Sequence, residues 1–111
     1  MNASSPTSGA EAPSDAARLI RTGQTPSGPA PAAALLESAM AAVIGEAAAP
    51  VSLTLDYGVA LHGGETVTVE SWVERATRTL VFVHGRVLKD DGALAATGSA
   101  VFRRLEATAP A

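Results

Sequence analysis

The chain has no cysteine in its 111 residues. That excludes a disulfide framework, a thiolate zinc site and a cysteine nucleophile. Its two histidines are too few for a histidine-built metal site. Basic residues are also scarce, with 8 Lys and Arg against 11 Asp and Glu. The electrostatic footprint of a nucleic-acid binder is therefore missing. No segment approaches the roughly 18 consecutive apolar residues of a membrane span. The longest alanine-rich stretch, Ala30 to Pro50, is broken by Glu37 and Glu46. Residues 1–15 carry no Lys or Arg and no apolar run, so they do not read as a secretory signal. The expectation is a cytoplasmic protein with no metal, no cofactor, and neither membrane nor nucleic acid as partner.

Alanine is abundant. The chain is 47% hydrophobic, but 24 of those residues are alanine and only 28 are larger apolar side chains. That is one small core and one domain. Residues 1–15 hold Ser, Pro, Ala and Gly and no aliphatic larger than Met1, so a disordered tail is expected there. The domain is expected over residues 16–106, with a short tail at 107–111. Ala16 to Arg21 suits one turn of helix or a short strand. Thr22 to Pro31 reads as a loop by its Gly and Pro content.

A helix is expected from Pro31. Proline fits a first helical position because its missing N–H costs nothing there. The run AAALLESAMAAVIGEAA is rich in strong helix formers, and Pro50 ends anything beyond it. This helix has no polar face. Glu37 has Ala33, Ala34, Met40 and Ala41 as its neighbours one turn away, with no Lys or Arg among them. A helix apolar all round calls for burial on several sides.

Strands follow. Val51 to Tyr57 alternates strictly, apolar on odd numbers. In Thr66 to Arg75, Val67, Val69 and Val73 fall on one side, with Thr68, Glu70, Trp72 and Glu74 on the other. Thr79 to Leu88 is rich in β-formers, Asp90-Asp91-Gly92 is a hairpin signal, and Ala93 to Leu105 is a last strand. The expectation is an α+β fold with one helix followed by four antiparallel strands in a meander. Asp90 and Asp91 belong to the turn and are not read as a metal pair. His84 reads as structural, and Trp72 as a surface or interface residue.

The segment from Val51 to Leu105 resembles the C-terminal half of the PaaI-like (phenylacetate-pathway-type) hotdog thioesterases. The residues carrying the likeness are Asp56-Tyr57 at a strand end, Glu65-Thr66-Val67 after a Gly-containing loop, and the strand Arg78-Thr79-Leu80-Val81-Phe82-Val83. An Asp-Gly turn and the final Ala-Thr-Gly-Ser strand complete it. PAAALLESAMAAVIGE is similar to the family's central helix, so the likeness spans about residues 28–105. It implies a hotdog fold, with one long central helix wrapped by a curved antiparallel sheet. It also implies hydrolysis of acyl- or aryl-CoA thioesters by homodimers or dimers of dimers, with active sites shared between subunits.

In that family a carboxylate on the central helix acts as base or nucleophile, and backbone N–H groups at the helix start polarise the thioester carbonyl. The resemblance puts the carboxylate on Glu37. Desolvation among alanines disfavours the charged form of a carboxylate, which suits a base. The family's His-Gly-Gly begins nine residues before the carboxylate, but here Gly28-Pro29-Ala30 stands in its place. Proline has no N–H to donate, which leaves Gly28 and Ala30 for the oxyanion. Ala41 stands where many relatives have Ser or Thr. His62-Gly63-Gly64 is a literal His-Gly-Gly, but between strands, and reads as a turn. Arg78, Arg86 and Lys89 are candidates for the phosphates of coenzyme A. A second reading is an acyl-thioester-binding protein or subunit with little hydrolysis. The hydratase branch needs a paired Asp and His in a longer motif that is not found here.

Overall fold

A computed structural model describes residues 17–105. The expected tails at 1–15 and 107–111, and the expected domain bounds at 16 and 106, lie outside the described residues. The elements in chain order are β1 (Arg18–Gln24), α1 (Pro31–Ile44), β2 (Ala48–Tyr57), β3 (Thr66–Ala76), β4 (Leu80–Lys89) and β5 (Leu94–Arg104).

The helix begins with Pro31 in its first turn, and no side chain caps it. It ends at Gly45, whose φ of 75° places it in the left-handed region that glycine tolerates. Ala32, Leu36, Ala39, Met40 and Val43 form its buried face at spacings of three and four. Ala34, Glu37, Ser38, Ala41 and Ala42 are exposed. Cover on several sides is therefore not met by one chain. The sheet buries one face, and the opposite side is bare alanine, Ser38 and Glu37.

The sheet has five antiparallel strands in the order β1-β3-β4-β5-β2. This corrects the meander of four. Only β3, β4 and β5 follow one another as neighbours. β2 pairs with β5 at one edge, and the chain then crosses to β3 through residues 58–65. At the other edge β1 pairs with β3 from Arg18↔Trp72 to Gln24↔Thr66. The loop expected from Thr22 therefore starts only after Gln24. β1 has two large aliphatics and no clean alternation, so its strand state comes from backbone pairing with β3 rather than from its own side chains.

α1 touches all five strands, which is the hotdog arrangement. Its seat is the cross-strand pair Gly85↔Gly98. A Cβ on Gly85 would lie 2.9 Å from Leu36 Cδ2, and one on Gly98 would lie 3.0 Å from Leu55 Cδ2 and 3.2 Å from Leu36 Cδ1. The missing side chains let Leu36 and Met40 descend onto the backbone, where Val67, Val83, Val87, Ala96 and Phe102 close around them. Ser71 is the buried polar exception on β3. Its Oγ–H donates to the Ala39 carbonyl at 2.9 Å and pins the helix at mid-length. The Asp90-Asp91-Gly92 turn forms as expected, with Gly92 at φ 88° and Lys89 N–H donating to the Ala93 carbonyl.

Candidate active site

Glu37 projects from the flank of α1 that faces β2. It borders a cleft of about 200 Å³ lined also by Met40, Leu53, Ala100 and Phe102. Met40 and Phe102 are fully buried, so the floor is apolar while the carboxylate stands at the mouth. The β2 wall is irregular. Register with β5 shifts between Pro50 and Ser52, and the intervening Val51 is 53% exposed. The semi-buried setting expected for Glu37 is not present in one chain, where this residue is exposed.

The helix start lies in a separate cavity of about 370 Å³. Pro29, Ala30, Pro31 and Ala32 form one wall, and Tyr57 to Leu61 form the other. Gly28 takes φ 121° just before it, a conformation that favours glycine. Ala34 N–H donates to the Ala30 carbonyl at 3.0 Å. Pro29 and Pro31 have no N–H. The first-turn donors without a backbone partner are therefore Ala32 and Ala33, preceded by the N–H of Ala30. Ala32 and Ala33 are not among the residues the family likeness points to, although a helix starting at Pro31 leaves their N–H groups without a partner. Glu37 lines the first of these cavities, and Ala30 and Ala32 line the second.

The far wall of the helix-start cavity is tied down by a charged link. Lys89 Nζ lies 3.0 Å from Glu65 Oε2 and donates to the Ala60 carbonyl at 3.0 Å. His62 N–H donates to Glu65 Oε1 at 2.7 Å. That backbone hydrogen bond, and then the Lys89 ammonium, hold the Glu65 carboxyl below its ordinary value of 4.5. Glu65 and His62 thus clamp the crossover loop, and His62-Gly63-Gly64 is a turn, with Gly64 at φ 83°.

The three candidate phosphate contacts are not brought together. Lys89 is beside the helix-start cavity but holds Glu65. Arg86 lies on the sheet face away from α1, where its Nε is 2.8 Å from Glu70 Oε1. Arg78 is in the β3–β4 turn, at the end of the sheet where α1 finishes. There Arg104 N–H donates to the Thr79 carbonyl and Leu105 N–H to the Ala47 carbonyl. The same outer face carries Trp72 stacked on His84, with centroids 6.0 Å apart, and Arg18 over the indole at 5.1 Å. Among the described residues no three His, Asp or Glu converge as a metal site, and no helix is long and apolar enough to cross a membrane.

Solved structures share this architecture. A phenylacetic acid degradation protein PaaI from Thermus thermophilus, in a mutant form, is 21% identical with a TM-score of 0.68, covering 79% of this chain and 85% of its own. A hypothetical thioesterase from Streptococcus pneumoniae, solved with coenzyme A, is 10% identical with a TM-score of 0.74, covering 80% and 79%. An R-hydratase from Pseudomonas aeruginosa is 15% identical with a TM-score of 0.69, covering 80% of each chain. At these identities the likeness establishes the fold, which hydrolase and hydratase share. No curated protein matches the sequence. The sequence profile of the thioesterase superfamily matches residues 32–96, from the first turn of α1 to the early part of β5, and the chain belongs to that superfamily.

Proposed function

We propose that the protein is a homodimeric hydrolase of acyl- or aryl-CoA thioesters, with Glu37 as its catalytic carboxylate. The observation that carries this reading is the position of Glu37. It is the one acidic residue of α1, and it stands at the mouth of an apolar cleft on the flank beside an open sheet edge. The apolar floor suits an acyl group, whose thioester carbon would then face the carboxylate at the mouth. Glu37 takes a proton from water, and the water oxygen adds to the carbonyl carbon. Amides such as those of Ala30, Ala32 and Ala33 stabilise the oxyanion. As the C–S bond breaks, the proton passes to the departing thiolate.

That Glu37 lines one cavity and Ala30 and Ala32 another within one chain supports a site shared across a dimer. Antiparallel pairing of two β2 edges runs the two helices in opposite directions. The start of one helix then lies beside the flank of the other. The CoA-bound structural neighbour supports coenzyme A as the carrier.

The test is thiol release from short, medium, long and aryl acyl-CoAs. Glu37→Gln is expected to lower kcat by about 100-fold or more, the scale of a lost general base. An unchanged rate would overturn the role of Glu37. The second reading, binding with little hydrolysis, is favoured by Pro29 and Pro31, which remove two amides from the helix entry. Losing one oxyanion donor typically costs about 100- to 1,000-fold in rate. Saturable acyl-CoA binding without turnover in the unaltered protein would select that reading.

A further inference from the structure

We propose a second binding site, for a short-chain monocarboxylate, in the groove between β1 and α1. The groove lies on the opposite flank of the helix from Glu37, and no residue lines both clefts. Its volume is about 390 Å³.

Three observations meet there. The pairing of β1 with β3 places Leu19, Arg21 and Gly23 opposite Ser71, Val69 and Val67, all of which face the helix. Arg21 is therefore a cation on the inward face of the sheet, where an apolar residue is the rule. Gly23 is the next inward position, and a Cβ built on it meets no atom within 4 Å. The space that a side chain would fill is left open. The helix offers Ala34, Leu35 and Ser38 to this space, and Val69 and Ala39 complete an apolar floor.

A guanidinium above an apolar trough is matched by an anionic head on an aliphatic tail. The planar fork of arginine pairs with both oxygens of a carboxylate, and the Ser38 hydroxyl adds a donor on the helix side. One cation suits a monoanion, and the floor takes the alkyl chain. The volume is near the lower end for small-molecule sites, which fits a short acid. This inference does not depend on hydrolysis at Glu37.

The full chain is titrated with sodium hexanoate at constant ionic strength, and the Gly23 amide signal is followed by NMR. A saturable shift is expected. Arg21→Gln should weaken it about tenfold, the scale of one charge-assisted pair. Gly23→Val, whose side chain occupies the trough, should weaken it by a similar factor, while Glu37→Gln leaves it unchanged. Hexanol and inorganic phosphate should each bind more weakly than hexanoate, because each lacks one half of the match. Absence of a saturable shift would overturn the proposal. So would full affinity in Arg21→Gln, which would leave Arg21 as a guard against strand pairing only. Loss of binding in Glu37→Gln would place the acid in the other cleft and equally overturn it. Arg21 is exposed, so its variant keeps the test decisive even where Gly23→Val does not fold.

Discussion

The two edges of the sheet are built to opposite rules. β1 is seven residues long and carries Arg18 on its outer side and Arg21 on its inner side. β2 is ten residues long with no Lys or Arg, and it exposes Val51 and Tyr57, the latter by 71%. Charges on an edge, especially inward ones, discourage another chain from adding to it, whereas β2 keeps its proline irregularity and its one charge, Asp56, toward its ends and leaves Ser52 to Leu55 uncharged between them. The difference teaches that this sheet is closed on the β1 side and open on the β2 side. Glu37 lies on the open side, and the Arg21 groove on the closed side.

That contrast is easiest to break at its open end. Val51→Lys puts a cation on the β2 edge at an exposed position. It is expected to turn a dimer into a monomer at micromolar concentration and to lower thioesterase activity with it. Ile20→Lys, at an exposed position on β1, should leave both unchanged. Sedimentation velocity alongside thiol release reads both outcomes, and equal association in the two variants would erase the distinction between the edges.

A smaller effect is expected from the seat of the helix. Gly98→Ala brings a Cβ to 3.0 Å from Leu55 on β2 and 3.2 Å from Leu36. Overpacking of this kind costs about 1–3 kcal/mol. Because Leu55 belongs to the open edge, association should weaken together with stability in urea denaturation. Ser71→Ala acts on the strand next to β1. It removes the hydroxyl bonded to the Ala39 carbonyl and should cost about 1 kcal/mol, the net worth of a typical hydrogen bond. Dimerisation should stay intact. If Ser71→Ala weakens the dimer more than Gly98→Ala does, the two sides are not independent.

The smallest effect concerns the crossover from β2 to β3. Glu65 has its carboxyl lowered by the His62 N–H and then by Lys89. A lowered folded-state value means that the folded chain favours the charged form. The stabilisation is therefore complete above the ordinary value of 4.5, and it is lost as pH falls through the lowered one. Hydrogen exchange at residues 58–65 should be steady at neutral pH, after correction for intrinsic rates, and lose protection only in acid. In Glu65→Gln that acid step should vanish.

The parts legible in the sequence are those whose signal is periodic or local. The helix from Pro31, the alternation of Thr66 to Arg75 and the Asp-Gly turn each follow from helix-former content, spacing or turn chemistry. Glu37 was legible as the lone carboxylate on an alanine helix, and the family likeness gave it a role. β1 was legible only as one of two readings of Ala16 to Arg21, a turn of helix or a short strand, because Arg21 and Gly23 occupy the inward positions where an apolar pattern would have announced a strand. The strand order was hidden for another reason. Residues 58–65 look like an ordinary loop between consecutive strands, and nothing local tells a hairpin from a crossing of the sheet. The Lys89–Glu65 link spans elements brought together only by that crossing. Nor does the sequence reveal which side of an all-apolar helix a single sheet leaves bare.

The entry to α1 alternates Gly28, Pro29, Ala30, Pro31. Each proline fixes its own φ and restricts the residue before it. Pro29 fixes the φ just before Ala30, and Pro31 keeps Ala30 itself out of the helical region, so few orientations of its N–H are open before any ligand arrives. The segment trades number of donors for rigidity. Under the proposed chemistry a substrate meets a stiffened contour there, and any motion that admits or releases an acyl group falls to the other wall, the loop fastened by Glu65.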